Sequence, residues 1–163
     1  MQTTDVAPAL ARVFAELTDG PHHKGGVVLN TGDAGLLRSL DKLSAGDASQ
    51  AVHGGATIAA HAQHVRYGLS LMNRWAAEGG NPFADATWDA AWRISTVTDA
   101  EWQEIRDGLR GETQRWQKVL HAPREVTKIE LTGLIGSVAH LAYHLGAIRQ
   151  IAKGARGPRE GTF

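Results

Sequence analysis

The sequence predicts an all-α protein, an antiparallel four-helix bundle, and three observations lead there. Apolar residues recur at spacings of three and four in four stretches, and no stretch alternates at period two. Two of these stretches open on a threonine followed three residues later by a glutamate, the reciprocal cap of a helix N-terminus. The connection between the last two stretches is short, and short connections set neighbouring helices antiparallel. With 163 residues, 42% of them apolar and 21% charged, the chain suits a single domain over 1–163 built on one core.

The first stretch is broken. Pro8 suits a first helical turn, Leu10, Val13, Phe14 and Leu17 follow at helical spacing, and Gly20 and Pro21 end it. A loop with His22, His23, Gly25 and Gly26 comes next. A second piece then begins near Asp33, a good N-cap, and carries Leu36, Leu37, Leu40 and Leu43. The run Gly26-Val27-Val28-Leu29 between the pieces can be extended, but it has no partner strand in the sequence.

The next helix is expected from about Thr57, its cap, to Glu78, with Gly79 and Gly80 ending it. Ile58, His61, Val65, Gly68, Leu69, Met72 and Trp75 share one face. The linker from Gly79 to Val97 is long for a structureless loop, so it is expected to cover something. Trp88 and Trp92, four residues apart in it, suggest a turn or two of helix, either capping the core or offering a docking surface. The capping boxes Thr98-Asp99-Ala100-Glu101 and Thr127-Lys128-Ile129-Glu130 open the third and fourth helices. The third carries Trp102, Ile105, Leu109, Trp116 and Leu120 toward the core, and the fourth is expected to run to Lys153. The closing GARGPREGTF reads as a loose tail.

Lysine plus arginine and aspartate plus glutamate both number 17, a zero formal charge that argues against non-specific nucleic-acid or anionic-membrane partners. The absence of cysteine rules out disulfides, thiolate nucleophiles and cysteine-held metals. The N-terminus has no basic segment ahead of its apolar residues, unlike a signal peptide, and no unbroken apolar run approaches the roughly 20 residues of a membrane span. A soluble, cytoplasmic protein is expected.

The chain has eight histidines, unevenly spread. His61 and His64 are three apart on the helix from Thr57, and His140 and His144 are four apart on the last helix. Either spacing stacks two imidazoles one turn apart on the same face, near enough to reach one ion. The face carrying His140 and His144 also carries Gly133, Gly136, Ser137 and Ala147. Small residues there either let another helix approach closely or leave a cavity, and both suit a metal with a pocket beside it. A third imidazole from the facing helix would complete a site with positions open to water or substrate. Periodicity slightly favours His61 for that role, because the apolar arc of its helix centres nearer to His61 than to His64. His22, His23 and His121 read as solvated loop residues, and His53 has no evident role.

At TIAAHAQHV (Thr57 to Val65) and HLAYHLGAIRQ (His140 to Gln150) the sequence resembles the DinB-like superfamily of metal-binding helical bundles. The family pattern opens a helix with Ser/Thr-Ile and reaches a ligand histidine seven residues on, then places His-x-x-x-His before x-Gly-Gln-Ile. The resemblance covers roughly the last two thirds of the chain. It implies a DinB-like bundle topology and His64, His140 and His144 as ligands of a divalent metal, with His61 a neighbour of the site; imidazole suits zinc, nickel, iron and copper alike, and zinc or nickel is expected first. Leu145 stands where the family often has arginine, and Ala147 where it usually has glutamine, so two polar neighbours of the family site are missing.

Relatives of that kind include transferases and isomerases that use a low-molecular-weight thiol such as bacillithiol or mycothiol, and hydrolases. The resemblance therefore implies a metal-dependent transferase or hydrolase acting through an activated thiol or water, on a small-molecule substrate, in a homodimer. Any thiol has to come from a cosubstrate, since the chain holds none. Tyr67 and Tyr143 lie beside the metal-facing stripe and can hydrogen-bond a substrate or pack at an interface. Two other readings compete: a non-catalytic bundle stapled by its metal, serving as a dimeric stress or interaction protein, and a metal-free histidine network in the core.

Overall fold

A computed structural model of the chain describes residues 6–22, 25–122, 124–152 and 155. Among the described residues every regular element is a helix: α1 (Val6–Asp19), α2 (Leu36–Asp41), α3 (Ala45–Ala48), α4 (Ile58–Glu78), α5 (Asp89–Trp92), α6 (Asp99–His121) and α7 (Lys128–Ile151). The four long helices close a ring of contacts, with α4 against α6 and α7, and α1 against the same two. The expected continuation of α7 to Lys153 and most of the C-terminal tail lie outside the described residues, as does His23.

Local signals account for most helix ends. Thr57 accepts from the amide of Ala60 at 3.1 Å, and both threonine–glutamate boxes close in both directions. Gly79 ends α4 in a positive-φ conformation (71°) with its N–H on the carbonyl of Trp75, a geometry a side chain would strain. A third box, Ser44 with Asp47, opens the short α3. Asp33 does not cap α2, whose N-cap is Gly35, without a side-chain bond. Its carboxylate instead meets Arg149 near the end of α7 at 3.1 Å, and Arg149 also donates to the carbonyl of Ala34 at 2.6 Å. The propensity of aspartate for helix starts is overridden by a partly buried cation that needs a partner.

The core lies between the long helices, around Phe14, Leu17, Ile58, Leu109, Trp102 and Trp116, all fully buried. Both indoles bury their rings and keep their N–H groups bonded: Trp102 donates to the carbonyl of Leu43 and Trp116 to the hydroxyl of Ser137, each at 2.8 Å.

The run at residues 26–29 is not a strand. Its amides wrap the carboxylate of Glu16, which accepts from Val27 at 2.8 Å and from Val28 and Leu29 at 2.7 Å. A side chain at Gly26 would collide with that carboxylate, so glycine is required by close approach. Burial works to raise the Glu16 carboxyl, but the three backbone donors outweigh it and hold it below its ordinary value.

One helix bears on the expectation that nothing spans a membrane. α7 contains an 18-residue window of mean hydropathy 1.3, so it is long and apolar enough to cross a membrane by length and composition. Glycine, serine and histidine interrupt its apolar residues, which is why no unbroken run announces it. In the structure 39% of that window is buried against the rest of the protein, while Ile129, Ile135 and Tyr143 are exposed.

Replacing Glu16 by glutamine should cost about 2–3 kcal/mol, because charge-assisted bonds are lost and amides near the core are left poorly matched. Urea unfolding at neutral pH measures this directly, and a change below about 0.5 kcal/mol would show that the loop does not depend on the carboxylate.

Candidate metal centre

α4 and α7 present their histidine pairs to each other. On α7, Nε2 of His140 and Nε2 of His144 are 2.9 Å apart, as one helical turn permits. From α4, Nε2 of His64 comes within 3.1 Å of the same atom of His140. His64, His140 and His144 thus form a group whose ligand atoms all lie within 4.8 Å of one another, close enough to hold one metal ion. Three nitrogens at zinc-like bond lengths would stand roughly 3–3.5 Å apart.

The proton inventory also fits a cation. Nε2 of His140 faces two neighbouring nitrogens, yet a neutral imidazole nitrogen offers either one hydrogen or one lone pair. No choice of tautomers serves both contacts well, whereas three lone pairs directed at an ion would serve all three. Among the described residues Nδ1 of His64 is buried without a hydrogen-bond partner, and a metal on Nε2 would leave a buried N–H there.

Burial and mutual repulsion keep these rings uncharged. Burial pushes His144 down to about 3 and His64 to about 4, and the neighbouring histidines push in the same direction. Burial also lowers His61 and His140. Near neutral pH the nitrogens therefore offer lone pairs, as metal binding requires.

His61 lies behind the group. Its Nδ1 is 2.9 Å from Nδ1 of His144, on the side of that ring away from His140. His64 thus lies beside His140, and His61 lies beside His144, where it can fix the tautomer of that ring.

The linker covers these rings. It is pinned to α4 by Thr57 donating to the carbonyl of Ile94 (2.7 Å), by the amide of Thr87 on the hydroxyl of Tyr67 (3.0 Å) and by Arg74 on the carbonyl of Pro82 (2.6 Å). Trp92 stacks on His64 with ring centres 4.3 Å apart and meets His61 edge-on at 5.4 Å, while Trp88 lies 5.4 Å from His64. The two tryptophans therefore cover histidines. Trp92 remains 40% exposed.

Tyr67 spends its hydroxyl on the linker, and Tyr143 is exposed with its ring edge-on to His144. Leu145 is buried in the core, where an arginine would need a partner, and His22, His53 and His121 are exposed. Both outcomes expected of small residues on α7 occur. A Cβ at Gly133 would come 2.5 Å from the ring of Trp75, so glycine there permits close packing, whereas Gly136 borders a cavity. Gly68, on the apolar face of α4, lies against the site: a Cβ there would be 3.5 Å from Cε1 of His140. A glycine inside a helix, four residues after a candidate ligand, was the available signal.

No protein-family model, curated protein or solved structure matches the chain.

Without metal, the unfolded chain takes up protons at the ordinary histidine value near 6.5, while folded His64 and His144 stay neutral down to about 4 and about 3. The unfolded state then binds more protons, so this stability is present above about pH 6.5 and is lost as pH falls toward the folded values. Urea midpoints of metal-free protein should drop between about pH 7 and about pH 5, and His144→Leu should flatten the drop. Equal slopes in both proteins would show that these rings are not held neutral.

Proposed function

We propose that this chain is a metal-dependent enzyme of the DinB-like type, a transferase or hydrolase acting through a low-molecular-weight thiol or water. The observation that carries the reading is the convergence of neutral imidazole nitrogens from two facing helices, with 2.9 and 3.1 Å between neighbours. His64, His140 and His144 would hold a divalent ion, zinc or nickel, both suited to imidazole. A bound dication with three neutral ligands keeps its charge and can lower the pKa of water or of a thiol. The protein's own part is to present the nitrogens unprotonated, to hold His144 through His61, and to limit water access with Trp88 and Trp92.

In this reading α1, α4, α6 and α7 are the members of an antiparallel four-helix bundle with DinB-like connections, and the protein is cytoplasmic and dimeric. The ring of contacts among those helices supports the bundle. The motifs around His64 and His140 support the family assignment.

A second reading has one observation in its favour. The stack of Trp92 on His64 covers the histidines on the linker side, as suits a metal that only staples α4 to α7. An ordered, exchangeable water on the metal, detected by proton relaxation of manganese- or cobalt-loaded protein, supports the enzyme. Its absence supports the staple.

Elemental analysis of protein purified without a nickel column should find one divalent metal per chain, absent from His144→Ala. No stoichiometric metal in the unaltered chain overturns the reading. His61→Ala should keep the stoichiometry and weaken affinity about 10- to 100-fold, the usual effect of removing a residue that orients a ligand. Loss of all metal in His61→Ala would instead make His61 a ligand.

A further inference from the structure

Beside the histidines, between α4 and α7, lies a cavity of about 240 Å³. Its walls are apolar: Val65, Leu69 and Met72 from α4, Leu141 from α7, and Phe83 and Trp88 from the linker. Among the described residues no charged one lines it. Ser137 borders it, but its hydroxyl is engaged with the indole of Trp116 at 2.8 Å and the carbonyl of Leu134 at 2.7 Å. The imidazole of His140 is then the polar group at one end, and the same ring turns Nε2 toward His64 and His144.

An exposed glycine of α7 borders this space. Gly136 sits inside α7, where glycine is less stable than alanine by about 1 kcal/mol. A Cβ there would meet no heavy atom within 4 Å. Packing therefore does not demand the glycine, in contrast to Gly133. In size the cavity exceeds the apolar void of about 150 Å³ that accepts benzene, and falls below the roughly 300 Å³ where pockets for drug-sized ligands begin.

We propose that this cavity binds the apolar part of a small-molecule substrate, a short unbranched alkyl chain or a single aromatic ring, with its polar reacting end directed past His140 to the histidine group. The direction of the polar end rests on the metal-enzyme reading; the apolar site does not. An uncharged group is specified because nothing in the walls would compensate a buried charge.

Calorimetric titration of metal-free protein with butan-1-ol, hexan-1-ol and octan-1-ol tests the cavity. Affinity should rise about fourfold per methylene, the equivalent of about 0.8 kcal/mol, until the chain fills the space and the gain stops. Gly136→Leu should weaken hexanol binding at least about tenfold with metal stoichiometry unchanged. Gly136→Ala, which favours the helix, should weaken it less and keeps the test valid if the leucine variant does not fold.

No saturable alkanol binding, or binding undiminished in both folded variants, overturns the cavity proposal and leaves the metal measurement untouched. Hexanol binding by a chain that takes up no metal keeps the apolar site and overturns the metal-enzyme reading instead. With zinc loaded, hexane-1-thiol should bind roughly tenfold tighter than hexanol, since a soft sulfur at the polar end would reach the ion. Equal affinities overturn the proposed orientation.

Discussion

His61 and His64 on α4 meet His140 and His144 on α7 at nitrogen–nitrogen distances of 2.9 to 3.1 Å, in surroundings that hold all four rings neutral. Much else answers to that juxtaposition. The facing helices must lie close enough for imidazoles to touch, so the residues around them are small or closely fitted. Gly68 lies in contact range of His140, and Gly133 admits the ring of Trp75, which a Cβ would meet at 2.5 Å. A shift of one helix along the other by one residue would turn one pair of imidazoles away, because a residue step rotates a side chain by about 100°.

Covering the rings and leaving an opening beside them are tasks of the same segment. Trp92 lies flat on His64, while Trp88 reaches both His64 and the cavity at His140. The linker that carries them has little core of its own and is held by hydrogen bonds to α4. Such a segment opens at lower free-energy cost than the packed helices beneath it. Residues 79–97 therefore form the less firmly packed cover, while the nitrogens sit on α4 and α7.

The N-terminal third contributes from a distance. Glu16 gathers the loop after α1 around its carboxylate, and that loop leads to Asp33, which meets Arg149. The hydroxyl of Ser39, on α2, also reaches the carbonyl of Ala155 beyond α7, at 3.3 Å. These contacts fasten the far end of α7, the helix that carries His140 and His144. An ion pair of this kind, with Asp33 buried and Arg149 partly so, stabilises little by itself, but removing one partner leaves the other charge without it.

By itself the sequence determined the long helices and the two histidine pairs, because both are written in local spacing. Caps at Thr57, Thr98 and Thr127 act within one turn, and pairs three or four residues apart share a face in any helix. Periodicity favoured His61 where the resemblance implied His64: α4 packs against both α6 and α7, so the centre of its apolar arc does not point at α7. The sequence could not pair Asp33 with Arg149 or lay residues 26–29 around Glu16, contacts that local propensity does not encode. The placement of Trp92 over His64 and the cavity beside His140 were likewise tertiary outcomes. They depend on how two helices and a linker meet in space, and periodicity describes one helix at a time.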